Sequence, residues 1–157
     1  METHWWLTDP KRLEPGAFFA AVGKFFPRAT TLFVEGTVIA SDVLELYASN
    51  TEQGSFLPGA GILSRSAKRI RCRWSQQLMN SLIGMQSNHS ECEIASDLYI
   101  YAGSSPLIEW PDAFDESMWI AGSVCEKTVA AFAAELGITC DLVDHHYPER
   151  RHDDQRF

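Results

Sequence analysis

The chain has 157 residues, 45% hydrophobic and 11% aromatic, with a charged fraction of 22% and a formal net charge of −8. A chain of that size and apolar content can bury one domain core and offset its backbone ordering entropy, which excludes an intrinsically disordered protein. The acidic excess excludes a polyanion binder acting through bulk charge, because nucleic acid and anionic membranes repel such a chain at long range.

The opening residues Met1 to Trp6 show no basic region followed by an apolar stretch, so no secretory leader is expected. No run approaches the roughly 18 apolar residues that cross a bilayer. The expectation is a cytoplasmic protein that contacts neither membrane nor nucleic acid. Its four cysteines, Cys72, Cys92, Cys125 and Cys140, are widely spaced and are expected to be free thiols.

In chain order, Phe18, Phe19, Val22, Phe25 and Phe26 recur at helical spacing between Pro15 and Pro27, which predicts a buried amphipathic helix. The β-branched and aromatic stretch 30–35 predicts a strand ending at Gly36. Ser41 and Asp42 are expected to cap a helix reaching Ser49. Residues 50–61 then read as a loop, and the alternation of Arg69, Arg71 and Arg73 with Ile70, Cys72 and Trp74 predicts a strand with one cationic face.

Ser75 is placed as the cap of a helix that turns Leu78, Met79, Leu82, Ile83 and Met85 inward, after which residues 86–91 read as a polar connector. Three closely spaced strands follow, over 97–102, 106–110 and 118–121, in the manner of a meander. Ser123 and Glu126 match a capping box for a helix ending at Gly137, and a short strand over 138–143 precedes a charged tail. This order predicts a single α+β domain over residues 1–144, with a mixed, mostly antiparallel sheet and about four helices, followed by a flexible tail over 145–157.

Charge is laid out unevenly. Residues 53–90 hold five bases (Arg65, Lys68, Arg69, Arg71, Arg73) and no acid, whereas residues 91–144 set eleven acids against Lys127 alone. Within the acidic part, Glu109, Asp112, Asp115 and Glu116 are interleaved with Trp110, Phe114 and Trp119. Aromatic anchors ringed by charge are the composition of a protein-binding surface. The same rings could instead turn inward, and the arginine face could answer acids of its own chain.

Catalytic signatures are weak. His89-Ser90-Glu91 matches half of a zinc-deaminase motif, but the cysteine half is missing. The glycines over 58–64 precede a basic strand rather than a helix N-terminus, as a phosphate loop would require. No nucleophile motif of the G-x-S-x-G or S-x-x-K type occurs. Cys140, His145, His146 and His152 are metal ligands by type, yet their polar surroundings suit a solvated tail. No cofactor and no metal are therefore expected.

Two classes of function remain. The first is a small acidic module that binds a basic protein, in the physical manner of inhibitors or immunity proteins that neutralise a toxin or nuclease; its surface would comprise Glu109, Trp110, Asp112, Phe114, Asp115, Glu116 and Trp119. The second is a small-molecule-binding domain or enzyme in which Arg69, Arg71 and Arg73 hold an anion, because residues two apart on a strand lie about 6.5–7 Å apart. Unpaired strand edges also permit a homodimer.

Overall fold

The computed structural model describes residues 3–8, 13–51 and 68–144. Among them are strands β1 (Thr3–Thr8), β2 (Thr31–Gly36), β3 (Lys68–Arg73), β4 (Asp97–Ala102), β5 (Ser105–Trp110), β6 (Met118–Ala121) and β7 (Thr139–Asp144). The helices are α1 (Pro15–Phe25), α2 (Ser41–Ser49), α3 (Gln76–Met85), α4 (Glu91–Ile94) and α5 (Glu126–Leu136). The strands form one sheet in the order β3-β2-β4-β5-β6-β1-β7. Each pairing is antiparallel, so the fold is α+β as expected, without the parallel component of a mixed sheet.

Period-2 alternation gives the sheet two chemically different faces. On the first, Leu7, Leu32, Ile100, Ile108 and Ile120 are fully buried and share one core with residues from all five helices. Phe18 of α1 anchors that core: its ring lies 4.9 Å from Trp110 at the end of β5 and 6.3 Å from Phe132 of α5, centroid to centroid. Tilted and edge-on aromatic pairs of this kind add to the burial of their surface. On the second face Phe33, Tyr99 and Tyr101 form a separate buried cluster.

Several local expectations hold. Pro15 opens α1, the Ser75 hydroxyl accepts the Leu78 N–H at 3.1 Å at the start of α3, and Gly137 ends α5 with φ 66°. Others shift. Ala40, not Ser41, is the N-cap of α2. Cys125, not Ser123, is the N-cap of α5, because the helix starts at Glu126 and leaves Ser123 in the preceding turn.

The capping box sits elsewhere. Ser90 and Glu93 form one at the start of α4, a helix that begins at the end of what reads in sequence as a connector. The 58–64 glycines, most of the 50–61 loop and the whole 145–157 tail lie outside the described residues.

The largest departure is β1. It lies between β6 and β7, pairing Trp6 with Trp119 on one side and with Asp141 on the other. The Trp5 indole N–H donates to the Val124 carbonyl at 3.0 Å, which ties the strand to the turn before α5. At Gly122 a Cβ would collide with the Thr3 carbonyl, so only glycine lets β1 approach this closely. We expect Gly122→Ala to destabilise the fold by about 1–3 kcal/mol, as steric overpacking does, measured as a lowered urea midpoint at an unchanged m-value.

Candidate functional site

The turn between β5 and β6 is built by an internal hydrogen-bond net. Asp112 donates its N–H to Asp97 Oδ1 at 2.8 Å and Ala113 donates to the Ser96 carbonyl at 2.7 Å. The Asp115 and Glu116 N–H groups both reach the Asp112 carbonyl, at 3.1 and 3.0 Å, and the Trp110 indole N–H closes the net on the Glu116 carbonyl at 2.8 Å. Asp112 and Phe114 adopt positive φ, 45° and 75°. That conformation costs a non-glycine residue of order 1–3 kcal/mol and persists where surrounding bonds over-determine it.

This backbone path separates the interleaved residues of the acidic segment. Ala113 and Phe114 turn inward, and the Phe114 ring packs 4.5 Å from Trp110. Trp110 is fully buried and Phe114 nearly so, which places both rings in the core rather than on a binding surface. Asp112, Asp115 and Glu116 are exposed. The turn therefore carries its charges outward on a frame fixed from within.

Glu109 and Trp119 belong to the second sheet face. The strand registers place Arg71, Phe33, Tyr99, Glu109, Trp119, Trp6 and Asp141 in one row that crosses all seven strands. Trp6 and Trp119 stack within it, centroids 5.7 Å apart and planes 10° from parallel. Trp6 is 37% exposed and Asp141 is exposed. Sequence reasoning missed Trp6, since it assigned no element to the N-terminal residues.

The arginines of β3 stand at the opposite end of that face. Arg69 pairs in register with Glu35 of β2, and its Nε lies 3.7 Å from Glu35 Oε2. Glu35 is fully buried and pairs in turn with Asp97, whose carboxyl is pushed up by burial against the opposing effect of the Asp112 N–H. Burial, with Glu109 and Glu35 adding to it and Arg71 opposing, pushes the Tyr101 hydroxyl up to about 12. Arg69 thus answers a carboxylate of its own chain, Glu35 of β2.

Comparison of the chain with family models, curated proteins and solved structures finds no match. Among the described residues no group of three or more His, Cys, Asp or Glu is placed to hold a metal ion, and no helix is long and apolar enough to cross a membrane. His145, His146 and His152 lie outside the described residues. All four cysteines are free; burial pushes the Cys140 thiol up, whereas a hydrogen bond with Thr128 holds the exposed Cys125 thiol down.

His89 lies between two carboxylates: Nε2 is 2.8 Å from Asp42 Oδ2, and Nδ1 is 3.9 Å from Glu93 Oε2. Glu93 is also held by the Ser90 N–H and hydroxyl, at 2.8 and 2.9 Å. The His89-Ser90-Glu91 motif therefore resolves into a histidine clasp joining α2 to α4 and a helix cap. The hydrogen bond with His89 holds the Asp42 carboxyl below its ordinary value, and the Ser90 N–H does the same for Glu93.

A carboxyl depressed in the folded state stabilises it above the unfolded-state value and loses that contribution as pH falls through the folded one. We expect the urea midpoint of the wild type to fall more steeply below about pH 5 than that of Asp42→Asn. Parallel acid-side profiles would remove the clasp from the pH dependence.

Proposed function

We propose that this chain is an acidic protein-binding module that engages a basic protein partner, in the manner of a cytoplasmic inhibitor or immunity protein that neutralises a toxin or nuclease. The observation that carries this reading is the β5–β6 turn, where Asp112, Asp115 and Glu116 are exposed on a backbone held by five internal hydrogen bonds. Carboxylates presented on a rigid frame raise the encounter rate with a cationic surface and lose little freedom on binding. The excess of acid over base in residues 91–144 extends the same field around the turn.

The alternative, an anion site on β3, has less support. Arg69 is committed to a buried glutamate, and Arg71 and Arg73 stand in register beside Phe33 and Thr31 of the same densely packed face. A guanidinium already answered by a carboxylate must be released before it can clamp a ligand.

The test is capture of partners on the tagged protein at low and moderate salt, run beside the triple variant Asp112→Lys, Asp115→Lys, Glu116→Lys. We expect one basic protein at near-stoichiometric yield, weakened by salt, with association to the variant slowed at least about tenfold. Association at an unchanged rate would refute the acidic-turn reading. Recovery of no basic protein would refute the module reading as a whole.

A further inference from the structure

We propose that the stacked Trp6–Trp119 pair, with Asp141 beside it, is the seat for an arginine side chain of the basic partner; the inference rests on the acidic-module reading and assigns its anchor. Among the described residues Trp6 is one of few large hydrophobic residues left exposed, and it stands on β1, one strand in from the β7 edge and paired on both sides by β6 and β7. Its ring cannot fold away. The Trp119 indole lies parallel behind it at 5.7 Å, and the β1 backbone is paired on both sides.

The chemistry beside the ring selects the occupant. Asp141 is the β7 neighbour of Trp6, and Glu109 is the β5 neighbour of Trp119, so the indole pair is flanked along its row by a carboxylate on each side. An indole face attracts a cation through its quadrupole, and arginine does so more often than lysine. The planar guanidinium can lie flat on the ring while its edge donates to a carboxylate, whereas an ammonium is a compact, strongly hydrated charge.

An apolar occupant would leave the neighbouring carboxylate to be desolvated without a partner. A second copy meeting this patch with the same patch would bring like charge to like. A cationic side chain satisfies both the ring and the acid.

The arrangement also supplies what the turn lacks. With Trp110 and Phe114 in the core, Asp112, Asp115 and Glu116 have no aromatic anchor among themselves, and exposed charges alone govern rate more than affinity. Trp6 and Trp119 are the aromatic residues of the acidic sheet region that are not consumed by the core, and tryptophan is the residue most enriched at interface hot spots.

The test uses the intact protein with a short oligoarginine peptide, an oligolysine peptide of equal length, and the neutral citrulline counterpart. Affinity is measured by calorimetry and the five indole N–H signals are followed by NMR. We expect oligoarginine to move the Trp6 and Trp119 signals and leave those of Trp5, Trp74 and Trp110 in place, citrulline to move none, and oligolysine to bind more weakly. Trp6→Leu and Asp141→Asn should each weaken oligoarginine binding roughly five- to tenfold.

Should Trp6→Leu prove misfolded, the exposed Asp141→Asn carries the comparison by itself. Binding with unmoved Trp6 and Trp119 signals and unchanged affinity in Asp141→Asn would overturn the seat while leaving the acidic turn standing. Oligolysine binding as tightly as oligoarginine would overturn the choice of arginine, and an absence of oligoarginine binding would overturn the seat outright. The acidic-module reading is judged separately, by the partner capture and its charge-reversed variant.

Discussion

The insertion of β1 between β6 and β7 is the constraint on which the rest of the sheet depends. Its register runs Thr3 against Asp144 and Thr8 against Thr139 on one side, and His4 against Ala121 to Leu7 against Met118 on the other. Among the described residues β7 has no sheet neighbour but β1, so β7 is held to the sheet by β1. Closing so long a loop costs chain entropy that grows only slowly with length, and it is offset locally by the burial of Trp5 and Leu7 and by the ladder on both sides. The same insertion turns Trp6 outward beside Trp119 and Asp141, so the strand that completes the core also builds the candidate anchor.

The two sheet faces divide the work. The first is closed by helices around Phe18, whose ring meets Trp110 from the sheet and Phe132 from α5. Gln86, just beyond α3, reaches across to accept the Gly16 N–H at 2.6 Å, giving α1 the cap that Glu14 does not supply. The second face is graded, with arginines on β3, aromatic and acidic groups through β2 and β4, and paired indoles with an aspartate toward β7. Base and acid are thus placed at opposite ends of one surface. The basic end is partly answered at Glu35, whereas the acidic excess continues into the exposed turn at Asp112, Asp115 and Glu116.

Legibility followed the strength of the local signal. The α1 pattern was clear because Phe18, Phe19 and Val22 recur on one helical stripe and are all fully buried. The β3 alternation was clear because arginine and apolar residues differ so strongly. Thr3–Thr8 was not, since Trp5, Trp6 and Leu7 are apolar in succession and conceal which of them faces the core; only the register with β6 and β7 separates Trp6 from its neighbours. α4 is four residues long and its one mark was the Ser90–Glu93 box, overlapped by a more conspicuous but empty His89-Ser90-Glu91 match. Positive φ at Asp112 and Phe114 leaves no sequence trace where glycine is absent, which is why Trp110 and Phe114 read as surface residues.

Edge chemistry bears on what can dock beside the candidate anchor. At the β3 edge the Arg73 N–H is already taken by the Asn50 carbonyl and Thr51 bridges to Cys72, so that edge is partly covered and otherwise marked by Lys68, Arg69, Arg71 and Arg73. The β7 edge is different: its sequence, Thr-Cys-Asp-Leu-Val-Asp, holds two acids and no base, and Leu142 is 54% exposed on it. Symmetric antiparallel pairing of two copies centred on Asp141 would set that aspartate against its own copy, and like charges directly opposite each other are destabilising. A cationic polypeptide meets the opposite condition, with the Asp141 carboxylate beside the Trp6 ring on the second face, while the exposed Leu142 lies beside Trp5 on the first. The charge that would set Asp141 against its own copy is the charge that the proposed basic partner would meet.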